Sequence, residues 1–550
     1  MQRANLADLE TSRFDLIVIG AGINGAAIAR DAAMRGLSVC LLEMNDLASG
    51  TSAWSSRLVH GGLRYLEHYE FGLVRESLRE RERLLRNAPH LVAPLPMVVP
   101  IQEGAKRGPM LIRAGMVLYD MLSFDKSLPQ HQMLSPEQAL ERVPALDPTG
   151  LQAAAVYYDA QVTFAERLVI ENVLSAVEHG AQVATQATVT GIVSEGAVVR
   201  GVDVHDTVNG TDHQIFGRLI VNVAGPWVDL VLAGAPQGRV SSTFIGGTKG
   251  SHIVVDRFEG APIDAIYYES RSDHRPILVI PFNGMIMLGS TDLRYDGDLE
   301  RVVTSDAEID YLLTEANALF RGVNLTPADV RYSYAGIRPL PRTAKGSTGS
   351  ITRRHIIKDH APSLRGLWSI IGGKLTTHRS LAEEFVDKAL RALGQDATCR
   401  TAQVPLPGAA GVVYGTYRST FVRPAAELGI GERTAYRLAE LYGTRAEQIL
   451  ALIPSRPELA TVVDPYSGAI AAEAVFAVRE EMASSLADIL LRRTMIAYGP
   501  HAGIGPDERI LEVAGKEIAW TKPQQKKELA AFREWIERYR PREVERRVEG

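Results

Sequence analysis

A run of apolar residues from Phe14 to Ile19 ends in Gly20, and glycine recurs at Gly22 and Gly25 before an alanine-rich stretch to Arg30. The order predicts a buried strand, a tight turn and a helix, the unit that holds the pyrophosphate of a dinucleotide. Gly20 permits the turn, Gly22 leaves the backbone bare where the pyrophosphate approaches, and Gly25 lets the helix pack close to the strand. Ile23 and Asn24 open the helix, whose N-terminal amides face the phosphates. A second apolar run, Leu37 to Leu42, ends in Glu43, at the distance where a ribose diol would donate two hydrogen bonds to a carboxylate. Glu43 would repel a 2′-phosphate, which disfavours NADP and leaves FAD or NAD. Turns use glycine for backbone reasons alone, so the weight comes from the strand, helix and acid around the triplet.

A chain of 550 residues has room for roughly three or four domains and a sizeable core. With 46% hydrophobic and 23% charged residues and a net charge of -5, it reads as a globular protein with no electrostatic call for nucleic acid. Cys40 and Cys399 cannot build a disulfide framework, and Cys40 falls in an expected buried strand, which fits a reducing compartment. Met1 to Arg13 lacks a hydrophobic signal core, and no uninterrupted apolar run reaches the roughly 18 residues that span a bilayer. Histidines are scattered, no Cys/His cluster has metal-ligand spacing, and no serine sits in a Gly-x-Ser-x-Gly elbow, so neither metal nor serine-nucleophile chemistry is expected.

Alternating strand-like and helical segments early in the chain argue for a mostly parallel sheet. Strand-like runs between Ser241 and Pro341 look like an inserted antiparallel sheet, and buried-strand signals resume at Arg218 to Trp227 and Gly366 to Lys374. The expected fold is α/β plus α+β: a Rossmann-like dinucleotide domain, an inserted antiparallel-sheet substrate domain and an all-helical C-terminal domain. The first is expected to be discontinuous over 14–89, 150–235 and 345–400, the second over 90–149 and 236–344. Pro/Gly content marks 401–411 as a linker, and helical periodicity dominates 412–550. The interleaved Arg and Glu of Phe71 to Arg86 suggest a solvated helix face.

Further motifs are Thr51-Ser52-Ala-Trp54-Ser-Ser56-Arg-Leu-Val-His60-Gly-Gly-Leu-Arg64-Tyr65, Lys249-Gly-Ser-His252, Tyr334-Ala-Gly-Ile-Arg338, Gly372-Gly373-Lys374-Leu375-Thr376 and Asp488-Ile-Leu-Leu-Arg492. With the glycine triplet, they make the chain resemble, nearly end to end, the FAD-dependent glycerol-3-phosphate dehydrogenases of the aerobic bacterial type. The resemblance implies FAD rather than NAD and oxidation of sn-glycerol 3-phosphate to dihydroxyacetone phosphate. It also implies transfer of electrons to membrane quinone, and an enzyme held peripherally at the cytoplasmic face of the membrane. Ala53 and Trp54 stand where the family pattern carries smaller residues.

Oxidising a secondary alcohol removes a hydride from carbon, which a flavin accepts at N5, and a proton from the hydroxyl. His252 is the candidate base, since neutral imidazole suits that task near pH 7. Without the resemblance, a lone histidine at a strand start is more often a hydrogen-bonded structural residue. A phosphate monoester needs fixed cations, preferably guanidinium forks, and Arg64, Arg338, Arg353 and Lys374 are the candidates. By resemblance Arg64 and Arg338 lie over the flavin, Arg353 grips the phosphate, Lys374 stands at the flavin's electron-rich edge, and Tyr65 walls the pocket. Thr51, Ser52, Ser56, Gly225, Trp227, Gly373, Leu375 and Thr376 are expected around the cofactor on the same ground.

Lys106, Arg107 and Arg113 flank Met110-Leu-Ile and precede Gly115-Met-Val-Leu-Tyr119, a pattern suited to an interfacial helix. Asp488 and Arg492, at i,i+4 spacing, can pair on a helix that either caps the body or meets a second subunit of a homodimer. Two other functions fit the cofactor motif: a glycerol-3-phosphate oxidase that makes hydrogen peroxide, and a non-catalytic dinucleotide-binding sensor.

Overall fold

The computed structural model describes residues 1–240, 242–343 and 351–541. The expected boundary between 344 and 345, and the end of the C-terminal domain beyond 541, lie outside the described residues.

The glycine-rich unit forms as its pattern dictates. Strand Arg13–Ile19 sits inside an eight-stranded sheet, between parallel strands Val39–Leu42 and Thr211–Asn222. Gln182–Ala184 extends the sheet on one side, and Leu367–Ile371 followed by Ile356–Asp359 on the other. Helix Ile23–Met34 packs on this sheet through its alanines, with Ala26, Ala29 and Ala32 fully buried. A Cβ on Gly25 would stand 1.9 Å from the Gly20 carbonyl oxygen, so only glycine permits this helix to approach its strand. The strand order turns back at Arg13–Ile19, and a crevice opens at the carboxyl ends there, where open α/β sheets bind ligands.

A second, ten-stranded sheet contains Thr248–Val255 flanked by antiparallel Met285–Gly289 and Val330–Arg338. Strands Leu58–Val59 and Leu151–Val162 also belong to it, pairing with each other, and Leu151–Val162 pairs on its other side with Val92–Gln102. Two strands of the segments 14–89 and 150–235, expected in the dinucleotide domain, thus pair within this second sheet. Leu151–Val162 pairs along its length with Val92–Gln102 and then runs directly into helix Ala165–Glu178 of the first layer, so one segment serves both domains.

The segment 401–411 is not a free connector. Asn87 Nδ2 donates to the Ala402 carbonyl at 3.0 Å, Arg30 Nη2 to that of Val404 at 2.8 Å, and the Gly408 amide to Glu171 Oε2 at 2.7 Å. Helices dominate the C-terminal domain, with one small hairpin, Val462–Asp464 and Ala469–Ile470. Asp488 accepts from Arg492 at 2.6 Å on a π-helical turn. Arg492 and Arg493 also reach Asp46, just beyond Glu43, at 2.6 and 2.8 Å, so this element caps the body. The charges of Phe71–Asn87 are not all solvated: buried Arg81 pairs with Asp159, and buried Glu80 with Arg379. Among the described residues, no helix is long and apolar enough to cross a membrane.

Candidate active site

Two adjoining cavities meet along the loop after Gly50 and the turn Gly373-Lys374-Leu375. The first, about 200 Å³, lies at the strand ends and is lined by Gly20, Gly22, Ile23, Asn24, Glu43, Thr51, Ser52, Gly225, Trp227, Gly373, Lys374 and Leu375. The second, about 330 Å³, lies over the second sheet and is lined by Ser56, Arg64, Tyr65, His252, Arg338, Arg353, Lys374 and Thr376. Every candidate expected from sequence lines one of them except Gly25, whose part is the helix contact above.

The first cavity suits a dinucleotide. Gly20 has φ +104°, and the Asn24 Oδ1 is buried without a partner among the described residues. Glu43, 8% exposed, accepts from the Ala21 amide at 2.7 Å and the Asn45 amide at 3.0 Å, which leaves acceptor capacity toward the cavity. Burial raises its pKa from the ordinary carboxylate value despite those amides. Ser52 Oγ accepts from the Ile23 amide at 2.9 Å and so fixes the loop on the helix N-terminus.

The second cavity brings several cations and the imidazole of His252 into one lining. His252 pairs in register with Gly289 on one side and Tyr334 on the other, and its ring stacks on Tyr334 at 5.0 Å. Ser56 Oγ and His252 Nε2 share a hydrogen bond of 2.8 Å. Ser56 thus serves the imidazole, a role the reading of it as a flavin contact missed. His252 is 2% exposed, and burial, then Arg338 and Arg57, pull its pKa down to about 3, so the ring is neutral at physiological pH. Its Nδ1 has no partner among the described residues.

Arg338 lies over Gly250, where a Cβ would come within 2.2 Å of its guanidinium. The Arg338 Nη2 donates to Ser290 Oγ at 2.8 Å, and Nη1 to Asp292 Oδ1 at 3.1 Å. Asp292 Oδ2 also faces Arg353 at 3.5 Å, while the Arg353 Nη1 is buried with no partner among the described residues. Arg353, Arg64 and Arg338 all bear electrostatically on the Tyr65 hydroxyl, although burial still raises its pKa. Lys374 Nζ donates to Ser77 Oγ at 2.6 Å and sits 4.7 Å above the Tyr65 ring. Removal from water lowers its pKa to about 8, against three more distant carboxylates. Thr51 Oγ1 donates to the Ile337 carbonyl at 2.7 Å, and Thr376 Oγ1 accepts from the His60 amide at 3.1 Å, so both hydroxyls brace the walls.

Asp292, Ser290 and Gly250 escaped the sequence reading. The signal was the segment Gly289-Ser-Thr-Asp292 at the end of a strand, which acquires meaning only beside Arg338.

Residues 15–379 match the family described as FAD dependent oxidoreductase. Residues 399–525 match the C-terminal domain of alpha-glycerophosphate oxidase. The fold and the paired cavities therefore define a flavoprotein oxidoreductase, with FAD as its cofactor. A glycerol-3-phosphate dehydrogenase of Synechocystis sp. is 45% identical, over 97% of this chain and 98% of that protein. The crystal structure of the glycerol-3-phosphate dehydrogenase from Bacillus halodurans, complexed with FAD, superposes with a TM-score of 0.78 at 28% identity, over 97% of this chain and 96% of that one. Within the flavoprotein oxidoreductases, this chain belongs to the glycerol-3-phosphate dehydrogenase family. The L-alpha-glycerophosphate oxidase of Mycoplasma pneumoniae shares the fold over 72% of this chain, with a TM-score of 0.54 and 18% identity.

Proposed function

We propose that the protein oxidises sn-glycerol 3-phosphate to dihydroxyacetone phosphate and passes the electrons to membrane quinone. The observation that carries this reading is that Arg64, Arg338, Arg353 and Lys374 line one cavity together with His252, and that this cavity adjoins the dinucleotide cavity. A phosphate dianion engages the unpartnered Nη1 of Arg353 and the Arg338 fork. Arg64 and Lys374 complete the positive wall, and Tyr65 closes it. Gly20, Gly22, Asn24, Glu43 and the other residues of the first cavity would hold FAD, which would supply the acceptor for the hydride of the carbinol carbon. His252 takes the hydroxyl proton, and the Ser56 hydrogen bond holds its ring in line. A pKa near 3 makes it a weak base in the ligand-free site, and the substrate dianion offsets Arg338, the second cause of that depression. Arg338 steadies the developing alkoxide.

Quinone is favoured over oxygen by a third cavity, of about 880 Å³. It shares Leu63, Arg64 and Tyr267 with the substrate cavity and continues past Leu66, Val99 and Ile101 to helix Pro109–Leu122. That helix and its flank expose Met110 (87%), Leu111 (61%), Met121 (66%) and Phe124 (79%), with Lys106 and Arg113 beside them. An apolar face rimmed by cations suits peripheral contact with an anionic bilayer on the cytoplasmic side.

Anaerobic glycerol 3-phosphate should bleach the visible flavin absorbance, and a soluble quinone should restore it faster than air does. Faster recovery in air with stoichiometric peroxide would make the protein an oxidase. A flavin that glycerol 3-phosphate leaves oxidised would make it a sensor. Flotation with anionic vesicles, lost on Leu111→Glu, tests the membrane contact.

A further inference from the structure

A chain of aromatic rings joins the last described helix to the proposed base. Tyr334 stacks on His252 at 5.0 Å, and Trp54 lies 5.6 Å beyond Tyr334. Trp54 in turn stacks on Tyr539 at 5.2 Å with an interplanar angle of 19°, and meets Trp535 at 5.7 Å. Trp535 and Tyr539 touch each other at 4.5 Å, one turn apart at the end of helix Lys522–Glu537. That helix is anchored by the neighbouring Phe532 and Ile536 on the same side, 1% and 2% exposed in the cap core.

Hydrogen bonds fix the same contact. The Ser333 amide donates to the Tyr539 carbonyl at 2.7 Å, which ties the helix end to the residue before Tyr334. The Tyr334 hydroxyl donates to the Ser55 carbonyl at 3.0 Å, and the next residue, Ser56, holds His252. Trp54 also lies against Gly336, where a Cβ would stand 2.6 Å from the Trp54 carbonyl oxygen. Trp535 and Tyr539 lie beyond residue 525, where the C-terminal match ends.

We infer that Trp535 and Tyr539 are positioning residues for the oxidation. They clamp Trp54, the clamped loop sets Ser55 and Ser56, and the Ser56 hydroxyl aims the His252 imidazole. Neither ring lines the substrate cavity, so the effect reaches the chemistry only through Trp54. A displacement of about 1 Å in a catalytic group costs on the order of a hundredfold in rate.

The inference rests on His252 as base, and the test separates the two. His252→Asn, Tyr539→Leu, Trp535→Leu and Tyr539→Phe are compared with wild type for FAD content, kcat, KM for glycerol 3-phosphate and the isotope effect with substrate deuterated at the carbinol carbon. The expected result is full FAD content, a kcat lowered about tenfold to a hundredfold in both leucine variants, a KM within about twofold, and a larger isotope effect because hydride transfer becomes slower. Tyr539→Phe keeps the ring and should restore wild-type kcat. Trp535 is only half-buried, so its variant decides the matter should Tyr539→Leu lose its fold. A slow His252→Asn beside leucine variants with wild-type kcat and isotope effect overturns the brace and leaves the base intact. A His252→Asn variant with wild-type kcat overturns the base itself.

Discussion

Asp292 accepts a hydrogen bond of 3.1 Å from Arg338, which lines the substrate cavity. Its other oxygen turns to Arg353 at 3.5 Å, so one carboxylate spaces the two guanidinium groups proposed to hold a phosphate. A single negative charge shared by two forks orients both without saturating either, and Arg353 Nη1 keeps a hydrogen to donate.

Asp292→Asn should therefore strengthen ground-state anion binding while it loosens Arg338. Inorganic phosphate, assayed as a competitive inhibitor, should bind about tenfold more tightly, the equivalent of ~1.4 kcal/mol, while kcat falls. An unchanged inhibition constant would remove Asp292 from the anion site.

Gly250→Ala should reproduce much of the effect of losing Arg338. The added methyl would meet a guanidinium, the end of a flexible side chain, so the protein should fold and keep FAD while Arg338 swings away. Arg338→Ala itself should lower kcat about a hundredfold to a thousandfold, the range found when a transition-state charge partner is removed. Flavin absorbance per mole of protein and steady-state rates check both variants.

Lys374 should impose an alkaline limb on kcat/KM. Its ammonium loses its charge as pH rises through about 8, so the rate should fall above that value and stay level below it. In Lys374→Arg the guanidinium remains charged, and the limb should move beyond the alkaline end of the profile. An unshifted limb in that variant would assign the titration to another group.

Asp46→Asn should weaken the joint between cap and body. The substitution leaves Arg492 and Arg493, both buried, without the carboxylate they share, a loss of about 3 to 5 kcal/mol for a broken buried pair. Denaturant unfolding of the FAD-loaded protein, followed by tryptophan fluorescence, should show a lower midpoint.

Much of the dinucleotide cavity was legible because its requirements are local. Gly20, Gly22 and Gly25 answer to a turn, a backbone approach and a helix contact within one short segment, and Glu43 ends the next strand. The substrate cavity was legible only through motifs that the family resemblance had already tied together. What escaped was set by register between distant strands. Gly250 matters because Arg338 lies over it, and Ser56 turns to His252 because the loop folds across the second sheet. The strand Leu151–Val162 falls in the range 150–235 expected for the dinucleotide domain, and its long pairing with Val92–Gln102 holds it in the other sheet. The charges of Phe71–Asn87 went inward because Asp159 and Arg379, far away in sequence, meet them there.

That doubly employed strand bears on how the molecule moves. Leu151–Val162 and the short Leu58–Val59 stitch the two layers at separate points, and each continues with little intervening chain into a wall of one of the cavities or into a helix beneath it. A clamshell swing would have to tear those seams. Traffic of reactant and product is then expected to go by side chains turning aside at the rim, with the spacing between nucleotide cradle and arginine cluster kept.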